Sequence, residues 1–231
     1  MIDDARHRLK GFRLQARDDP HLDGRPMPDA QSLHTLQLIR KGVLAVGILA
    51  VVILAVFTGE RLWSDAVHAG FRAAGLVMIG IAIVGRAWCS LYIGGRKAAE
   101  IVDRGPYSVT RNPLYLFSFI AALGMGLQTG SLVLAGLFVL VAVGVFFATV
   151  KREEAWLQAR FGEAYSEYRR RTPRFWPRLS AWRDLETLQI RPDRFVMTLK
   201  DGSVFLLAVP IFAFVAWLQS KGWVNAVITL P

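Results

Sequence analysis

The residues best suited to chemistry lie between Gly105 and Tyr115, in the segment GPYSVTRNPLY. Asn112 is a residue type that caps helices with its side-chain oxygen, and Pro113 suits the first helical position, where its missing N–H costs nothing. The sequence therefore predicts a helix that begins at Pro113, with its unpaired N–H groups and positive dipole end beside an apolar stretch. Such a helix end attracts anions, so we expect an anion-binding site here.

The side chains around this helix start supply further binding groups. Arg111 carries a permanent, fork-shaped positive charge, and Tyr107 and Tyr115 offer aromatic rings with hydroxyls. Gly105 and Pro106 turn the chain. Together these groups could hold a small carboxylate or phosphate. The alternative interpretation is an ordinary helix start beside the phosphates of membrane lipids.

A pair of acids, Glu153 and Glu154, follows one apolar hairpin later. Adjacent residues on a helix point about 100° apart, so the two carboxylates cannot serve one atom equally. We expect one of them to accept hydrogen bonds from the vicinal hydroxyls of a ligand and the other to pair with an arginine. The candidate arginines are Arg111, Arg152 and Arg171. The alternative is two solvated acids at the end of a helix.

The order of these motifs resembles a known family. GPYSVTRNPLY, an apolar hairpin, REE and FGEAYSEYRRRTPRFWP are similar to the integral membrane methyltransferases that include isoprenylcysteine carboxyl methyltransferase and the phospholipid N-methyltransferases. The resemblance covers about residues 95–177, and its order and spacing are more specific than any single motif. Asn112 stands where the isoprenylcysteine enzymes typically have the histidine of RHPxY, whereas the phospholipid enzymes often carry Asn-Pro-x-Tyr. The resemblance therefore leaves the substrate open.

The resemblance implies S-adenosyl-L-methionine as the cofactor. The helix N–H groups with Arg111 would hold its carboxylate, the tyrosine rings its adenine, and the acids its ribose hydroxyls. The implied catalytic residues are Arg111, Glu154 and Arg171. The implied cofactor-binding residues are Gly105, Tyr107, Asn112, Pro113, Tyr115, Glu153 and Glu154.

The implied function is methyl transfer to a lipophilic acceptor that enters from the bilayer, either a prenylcysteine-like carboxylate or a lipid amine. Positioning and electrostatics can carry most of such an in-line displacement. A carboxylate acceptor needs only desolvation and a guiding arginine, whereas an amine must first lose a proton, for which Glu154 is the candidate base. Two alternatives stay open: an NADPH-dependent sterol-type membrane reductase and a non-enzymatic lipid-binding membrane protein.

Composition and charge indicate a membrane protein. Of the 231 residues 53% are hydrophobic, and the formal net charge is +10. Most lysines and arginines fall in three segments, 1–41, 95–113 and 150–203, which by the positive-inside rule face the cytoplasm. We therefore predict an all-α, polytopic, multi-pass helix bundle with about five transmembrane helices. Its N-terminus and a cofactor pocket near the membrane surface are expected to face the cytoplasm.

Five regions are expected along the chain. They are a cytoplasmic tail that could end in an interfacial helix (1–41), the first two transmembrane helices (42–94), the methyltransferase-like catalytic region with a transmembrane hairpin (95–177), a basic cytoplasmic insert (178–203) and a last transmembrane helix (204–231). Asp201-Gly202 predicts a small hairpin within the insert. Arg86, inside the second span, is expected either to snorkel to the cytoplasmic end or to join the site.

Other ligands are not indicated by the sequence. Four scattered histidines and a single cysteine, Cys89, show no metal-ligand spacing, so we assign no metal. The distribution of positive charge favours lipid over nucleic acid, for which no motif is present. The expected partners are a lipophilic small-molecule or lipid substrate and membrane lipids. The oligomeric state is left open.

Overall fold

The computed structural model describes residues 30–59, 64–96 and 99–229, so the predicted tail before residue 30 lies outside the described residues. The chain forms two compact units, 1–39 and 40–231, and of the first only the start of one helix is described. In chain order the elements are α1 (Ala30–Val56), β1 (Thr58–Gly59), α2 (Asp65–Ile93), α3 (Pro106–Val109), α4 (Pro113–Leu127), α5 (Leu132–Arg171), α6 (Pro192–Ser203), α7 (Ala208–Ser220) and β2 (Ile228–Thr229). Two short 3-10 helices, Leu179–Ala181 and Val204–Leu207, precede α6 and α7.

The protein is an all-α membrane bundle, as predicted. Three helical stretches are long and apolar enough to cross a membrane: Asp65–Ile93, Leu132–Arg171 and Pro192–Ser220. Two further apolar helices, Gly42–Val56 and Pro113–Leu127, are shorter than these three, so the predicted number of five transmembrane helices stays a prediction. Within the described residues, strand pairing consists of the two-residue parallel contact between β1 and β2.

One apolar core holds four helices of the bundle together. Its buried members come from α1, α4, α5 and α7: Val51, Ala55, Ala122, Leu134, Phe138, Ala142, Ala208 and Phe212. The rings of Phe138 and Phe212 meet edge to face, with centroids 6.0 Å apart. Because aromatic side chains bury large apolar areas, this contact fixes α5 against α7.

Two glycines of α4 set its close approach to the neighbouring helices. A Cβ on Gly124 would lie 2.7 Å from the carbonyl oxygen of Gly75 on α2. A Cβ on Gly126 would lie 2.4 Å from the Cα of Ala135 on α5. The backbones therefore pack with no side chain between them, as small residues allow in membrane helices. Gly126 lies between α4 and α5, the two helices of the hairpin, whereas Gly124 faces α2.

The end of α2 and the start of α1 can be compared with the sequence pattern. The Gly-Gly pair at 94–95 is typical of a helix end, and Gly94 does end α2: its N–H donates to the carbonyl oxygen of Ser90 at 2.8 Å, and Gly95 follows with a φ of +81°. Such a left-handed residue after the last helical turn is typically glycine. The stretch expected as an interfacial helix is continuous with the first span, because α1 runs unbroken over Ala30–Val56.

The prediction of a hairpin around Asp201-Gly202 is wrong. These residues lie inside α6, where a Cβ on Gly202 would meet Ile83 of α2 at 3.5 Å. An Asp-Gly pair is a common turn signal, but packing against a neighbouring helix outweighs this local preference. Pro210 disturbs the helix further along. It lacks an N–H and crowds the preceding turn, and a 3-10 turn over Val204–Leu207 comes directly before α7.

The orientation of the bundle stays a prediction that cysteine labelling tests. Gln128 at the end of α4 hydrogen-bonds Arg72 near the start of α2, so α2 begins at the end of the bundle where α4 finishes. Ser64, exposed before α2, therefore lies at that end, and Glu163, exposed on the last part of α5, lies at the other. In a Cys89→Ala background, we expect Ser64→Cys to react with a membrane-impermeant maleimide added to intact cells. Glu163→Cys should react only after permeabilisation. The reverse pattern would contradict a cytoplasmic site.

Candidate active site

A cavity lies where α2 ends, α4 begins and the polar part of α5 passes by. The predicted residues on its wall are Tyr107, Arg111, Asn112, Tyr115, Glu153 and Glu154. Gly105, Pro113 and Arg171 are not among the described residues that line it. Residues far apart in the sequence therefore meet at one end of the bundle.

Asn112 occupies the N-cap position of α4, and the helix begins at Pro113, as predicted. The predicted side-chain cap is wrong, because the Asn112 side chain makes no hydrogen bond to the helix. Its Nδ2 donates instead to the carbonyl oxygen of Arg174 at 3.1 Å and to Glu154 Oε1 at 3.4 Å. Asn112 thus connects α4 to α5 and to the segment after it.

Glu154 is a buried carboxylate with two arginine partners, and its side chain is only 7% exposed. Its Oε2 accepts hydrogen bonds from Arg174 Nε at 3.0 Å and Nη2 at 2.7 Å, a two-point contact. Its Oε1 lies 3.1 Å from Arg111 Nε, an ion pair without hydrogen-bond geometry. The hydrogen bond to Glu154 raises the pKa of Arg174 above its usual value. A carboxylate this buried requires such partners, because desolvation of an unpaired charge is costly.

Sequence reasoning anticipated Arg111 as a partner of the acids but missed Arg174. The arginine lies between Pro173 and Pro177, within the motif RTPRF, where the chain cannot continue as a helix. The signal in the sequence was a basic residue in an extended segment that follows α5. Whether this arginine reaches Glu154 depends on backbone contacts between that segment and another part of the chain.

Those contacts join the segment 173–183 to the segment 105–111. The backbone bonds run from Arg111 N to Pro173 O (2.9 Å), from Arg178 N to Val109 O (3.0 Å) and from Gly105 N to Arg183 O (2.8 Å). The partners run in opposite directions along the chain. The first segment therefore pairs antiparallel with the second, which brings Arg174 back to Glu154.

Gly105 has a steric role at the start of this paired segment. Its φ is +54°, and a Cβ there would lie 2.3 Å from the ring of Tyr92. Only glycine adopts this conformation readily, and only glycine leaves room for the ring. Gly105 therefore shapes the turn beside the cavity without lining it.

Glu153 has a different environment from Glu154, as predicted from the divergence of adjacent helical side chains. It is half-buried on the cavity wall, and its Oε1 accepts a hydrogen bond from Tyr115 Oη at 3.0 Å. The Tyr115 ring packs against Phe146, with centroids 5.2 Å apart. Glu154 is thus held by the protein, whereas Glu153 is the acid at the edge of the cavity.

Tyr107 places a hydroxyl inside the cavity wall. Its side chain is 4% exposed, and among the described residues its Oη has no hydrogen-bond partner. Burial raises the pKa of Tyr107 well above its usual value, so the hydroxyl stays protonated. A buried hydroxyl without a partner is costly, so a ligand in this cavity would gain from bonding it.

Tyr165 and Tyr168, in the polar part of α5, line the cavity. They are 1% and 4% exposed, and Tyr168 Oη donates to the carbonyl oxygen of Tyr107 at 2.8 Å. The helical spacing of Phe161, Tyr165 and Tyr168 predicts an aromatic face on the membrane surface. For Tyr165 and Tyr168 that prediction is wrong, because both are buried inside the protein. Gly162, with φ +54° and ψ −125°, breaks the helix just before them and redirects the last turns.

Arg171 pairs with acids outside the cavity. It contacts Asp103 closely, and its Nη1 lies 3.9 Å from Glu167 Oε1. It therefore holds the segment before α3 to the end of α5. The catalytic role expected for Arg171 stays a prediction, as do the cofactor roles of the other residues. Among the described residues, no group of three or more His, Cys, Asp or Glu side chains could hold a metal.

A bundle of apolar helices with a cavity at one end defines a polytopic membrane protein, and comparison with known proteins gives its family. A model of the phospholipid methyltransferase family matches residues 71–164. Protein-S-isoprenylcysteine O-methyltransferase of Schizosaccharomyces pombe is 38% identical over 73 residues, which are 32% of this chain and 31% of that protein.

Two bacterial relatives match over greater lengths. The nickel-cobalt-cadmium resistance protein NccN of Alcaligenes xylosoxydans xylosoxydans is 35% identical over 76% of this chain and 83% of its own length. The cobalt-zinc-cadmium resistance protein CzcN of Cupriavidus metallidurans is 38% identical over 68% of this chain and 72% of its own length. No solved structure matches the chain significantly. The chain belongs to the superfamily of integral membrane methyltransferases that includes isoprenylcysteine carboxyl methyltransferase and the phospholipid methyltransferases.

The two neighbouring acids should differ in their contribution to stability. Glu154→Gln leaves two guanidinium groups facing a neutral amide, and we expect it to cost about 3 kcal/mol. Glu153→Gln keeps an oxygen for the Tyr115 hydroxyl and should cost less than about 1 kcal/mol. Thermal unfolding in detergent measures both against Glu163→Gln, a matched change at an exposed acid. Equal unfolding temperatures for the two site variants would contradict the paired, buried state of Glu154.

Proposed function

We propose that this protein transfers a methyl group from S-adenosyl-L-methionine to a lipophilic acceptor that enters from the bilayer. The observation that carries the proposal is the cavity where Tyr107, Arg111 and Glu153 meet beside a buried ion pair. Membership of the methyltransferase superfamily supports it. The names of the two bacterial relatives describe metal resistance and give no reaction, so the reaction is inferred from the site and from the methyltransferase family.

The residues of the cavity fit the polar groups of this cofactor. Arg111 Nη1 donates to the carbonyl oxygen of Arg169 at 3.2 Å, and among the described residues its Nη2 makes no hydrogen bond. Nη2 is therefore the donor for the methionine carboxylate. Glu153 offers carboxylate oxygens for the ribose hydroxyls. The unpartnered hydroxyl of Tyr107 offers one further polar contact.

The walls of the cavity suit a flat aromatic group. Four tyrosine rings line it, those of Tyr107, Tyr115, Tyr165 and Tyr168, together with aliphatic side chains that include Ile93 and Val102. Rings and aliphatic groups provide the apolar contact that adenine needs, while hydroxyls and carboxylates orient the sugar. The cavity therefore has both the apolar and the polar parts that an adenosine-containing ligand requires.

The cofactor, when bound, supplies a methyl group on a positively charged sulfonium. This chain's own groups position and shield the reactants. Glu154 Oε2 accepts two hydrogen bonds from Arg174, and Oε1 lies beside Arg111 Nε and accepts from Asn112 Nδ2, so we assign Glu154 to orienting Arg111. This geometry favours a positioning role over that of a base. If the acceptor is an amine, Glu153 is the better placed acid to take its proton.

Calorimetric titration with S-adenosylhomocysteine tests the proposal in detergent. We expect binding to the wild-type protein and no binding of NADPH. Tyr107→Phe should weaken binding about threefold to tenfold, the value of one neutral hydrogen bond, without lowering the unfolding temperature. Its hydroxyl has no hydrogen-bond partner among the described residues that would be lost on substitution.

Glu153→Gln should weaken the same binding more strongly, because a hydrogen bond to a charged group is lost. We expect a loss of about tenfold to a hundredfold. Glu163→Gln, at an exposed acid, is the control and should bind like the wild type. Absence of heat with S-adenosylhomocysteine, or a signal with NADPH instead, would contradict the proposed cofactor.

A further inference from the structure

Arg86 is a charged residue in the apolar part of α2 that the site described above does not use. It precedes the end of the helix at Ile93 by seven residues, or about 10 Å along the helix axis. The helix is one of those long and apolar enough to cross a membrane. An ionisable side chain at such a depth is costly unless other groups compensate its charge, so it is a candidate for function.

The protein compensates the charge of Arg86 only in part. Its Nη1 donates to Ser118 Oγ and lies 3.5 Å from the carbonyl oxygen of Leu114. The guanidinium carbon lies 5.6 Å from the centroid of the Phe205 ring. Among the described residues, its Nε is buried without a hydrogen-bond partner. Asp201 acts on the guanidinium only from further away.

Arg86 lies on the membrane side of the cavity wall. Leu114 and Tyr115 line the cavity, and the carbonyl oxygen of Leu114 faces Arg86. Ser118 follows one turn further into α4. The 3-10 turn Val204–Leu207, which carries Phe205, contacts both α2 and α4. The guanidinium is therefore at a junction of three segments directly beside the candidate active site.

We propose that Arg86, with the hydroxyl of Ser118, binds the acidic head group of an amphiphile that reaches the cavity from the bilayer. The inference rests on the proposed function in one respect: the amphiphile is the methyl acceptor or a lipid that guides it. A guanidinium with unsatisfied donors binds carboxylate or phosphate oxygens through several hydrogen bonds. A cationic amine would be repelled at this position, because few other charges screen the guanidinium.

The shared chemistry is a single anionic, oxygen-bearing head group on an apolar chain. A carboxylate and a phosphate monoester both have such a head group. The affinities of the protein for one carboxylate probe and one phosphate probe show which of the two it prefers. Asp201 lies on α6, which packs against α2, and its negative charge opposes the binding of either anion. Removal of the Asp201 charge should therefore strengthen binding of the anion. If Arg86 had only a structural role, removal of that charge would not change anion binding.

Binding of four probes with the same oleyl chain tests the inference. The probes are oleate, oleoyl lysophosphatidate, oleyl alcohol and oleylamine, titrated into the full-length protein in a neutral detergent. We expect the wild type to bind at least one anionic probe about tenfold or more tightly than the alcohol, and the amine most weakly. Arg86→Met should abolish this discrimination. Arg170→Met, at an exposed arginine outside the apolar segments, should retain it.

Three further variants keep the test decisive if Arg86→Met does not fold. Arg86→Lys should retain the preference for anions at reduced strength, Ser118→Ala should reduce it, and Asp201→Asn should increase it. Equal binding of anionic and neutral probes by the wild type, or discrimination that no variant changes, would overturn the inference.

Titration of the same preparations with S-adenosylhomocysteine separates this inference from the proposed function. The Arg86 variants should bind it like the wild type, because Arg86 does not line the cavity. Anion discrimination without any binding of S-adenosylhomocysteine would remove the proposed reaction and leave the amphiphile site. Binding of S-adenosylhomocysteine without anion discrimination would do the opposite.

Discussion

Burial of one carboxylate, that of Glu154, determines how the candidate active site is assembled. A charge with 7% exposure of its side chain is stable only when opposite charges and hydrogen-bond donors surround it. The partners come from two places distant in sequence, Arg111 before α4 and Arg174 after α5. Pairing therefore ties three segments together at one end of the bundle. The backbone bonds between the segments 105–111 and 173–183 depend on the same arrangement.

The pairing of Glu154 with two arginines gives Glu154 a different role from that of Glu153 and Tyr107. Glu154 is held by Arg111, Asn112 and Arg174, whereas Glu153 and Tyr107 line the cavity wall and are the residues for which we propose contacts with a ligand. The apolar core holds α4 and α5, the two helices next to these groups, against α1 and α7. Arg86 adds a second positive charge on the membrane side of the cavity. In the two proposals made above, the cavity therefore binds a soluble cofactor, and Arg86 binds an anionic group that arrives from the bilayer.

The sequence predicts what depends on local pattern and misses what depends on distant contacts. Hydropathy indicates the five apolar helices, and Asn-Pro indicates the start of α4. The divergence of Glu153 and Glu154 follows from helix geometry alone. The orientation of the Asn112 amide does not, because it is set by acceptors on two other segments. Asp201-Gly202 misleads for the same reason, since packing against α2 outweighs its turn preference.

We propose that this cavity serves methyl transfer to an acceptor in the bilayer, and an assay of that transfer tests the proposal directly. The purified protein, in nanodiscs made with lipids from its own host, would be incubated with S-adenosylmethionine labelled in its methyl group. The account predicts that label enters the organic phase at a rate proportional to protein, and that excess S-adenosylhomocysteine suppresses it. Label that stays in the aqueous phase, at the rate of a protein-free control, would contradict the account.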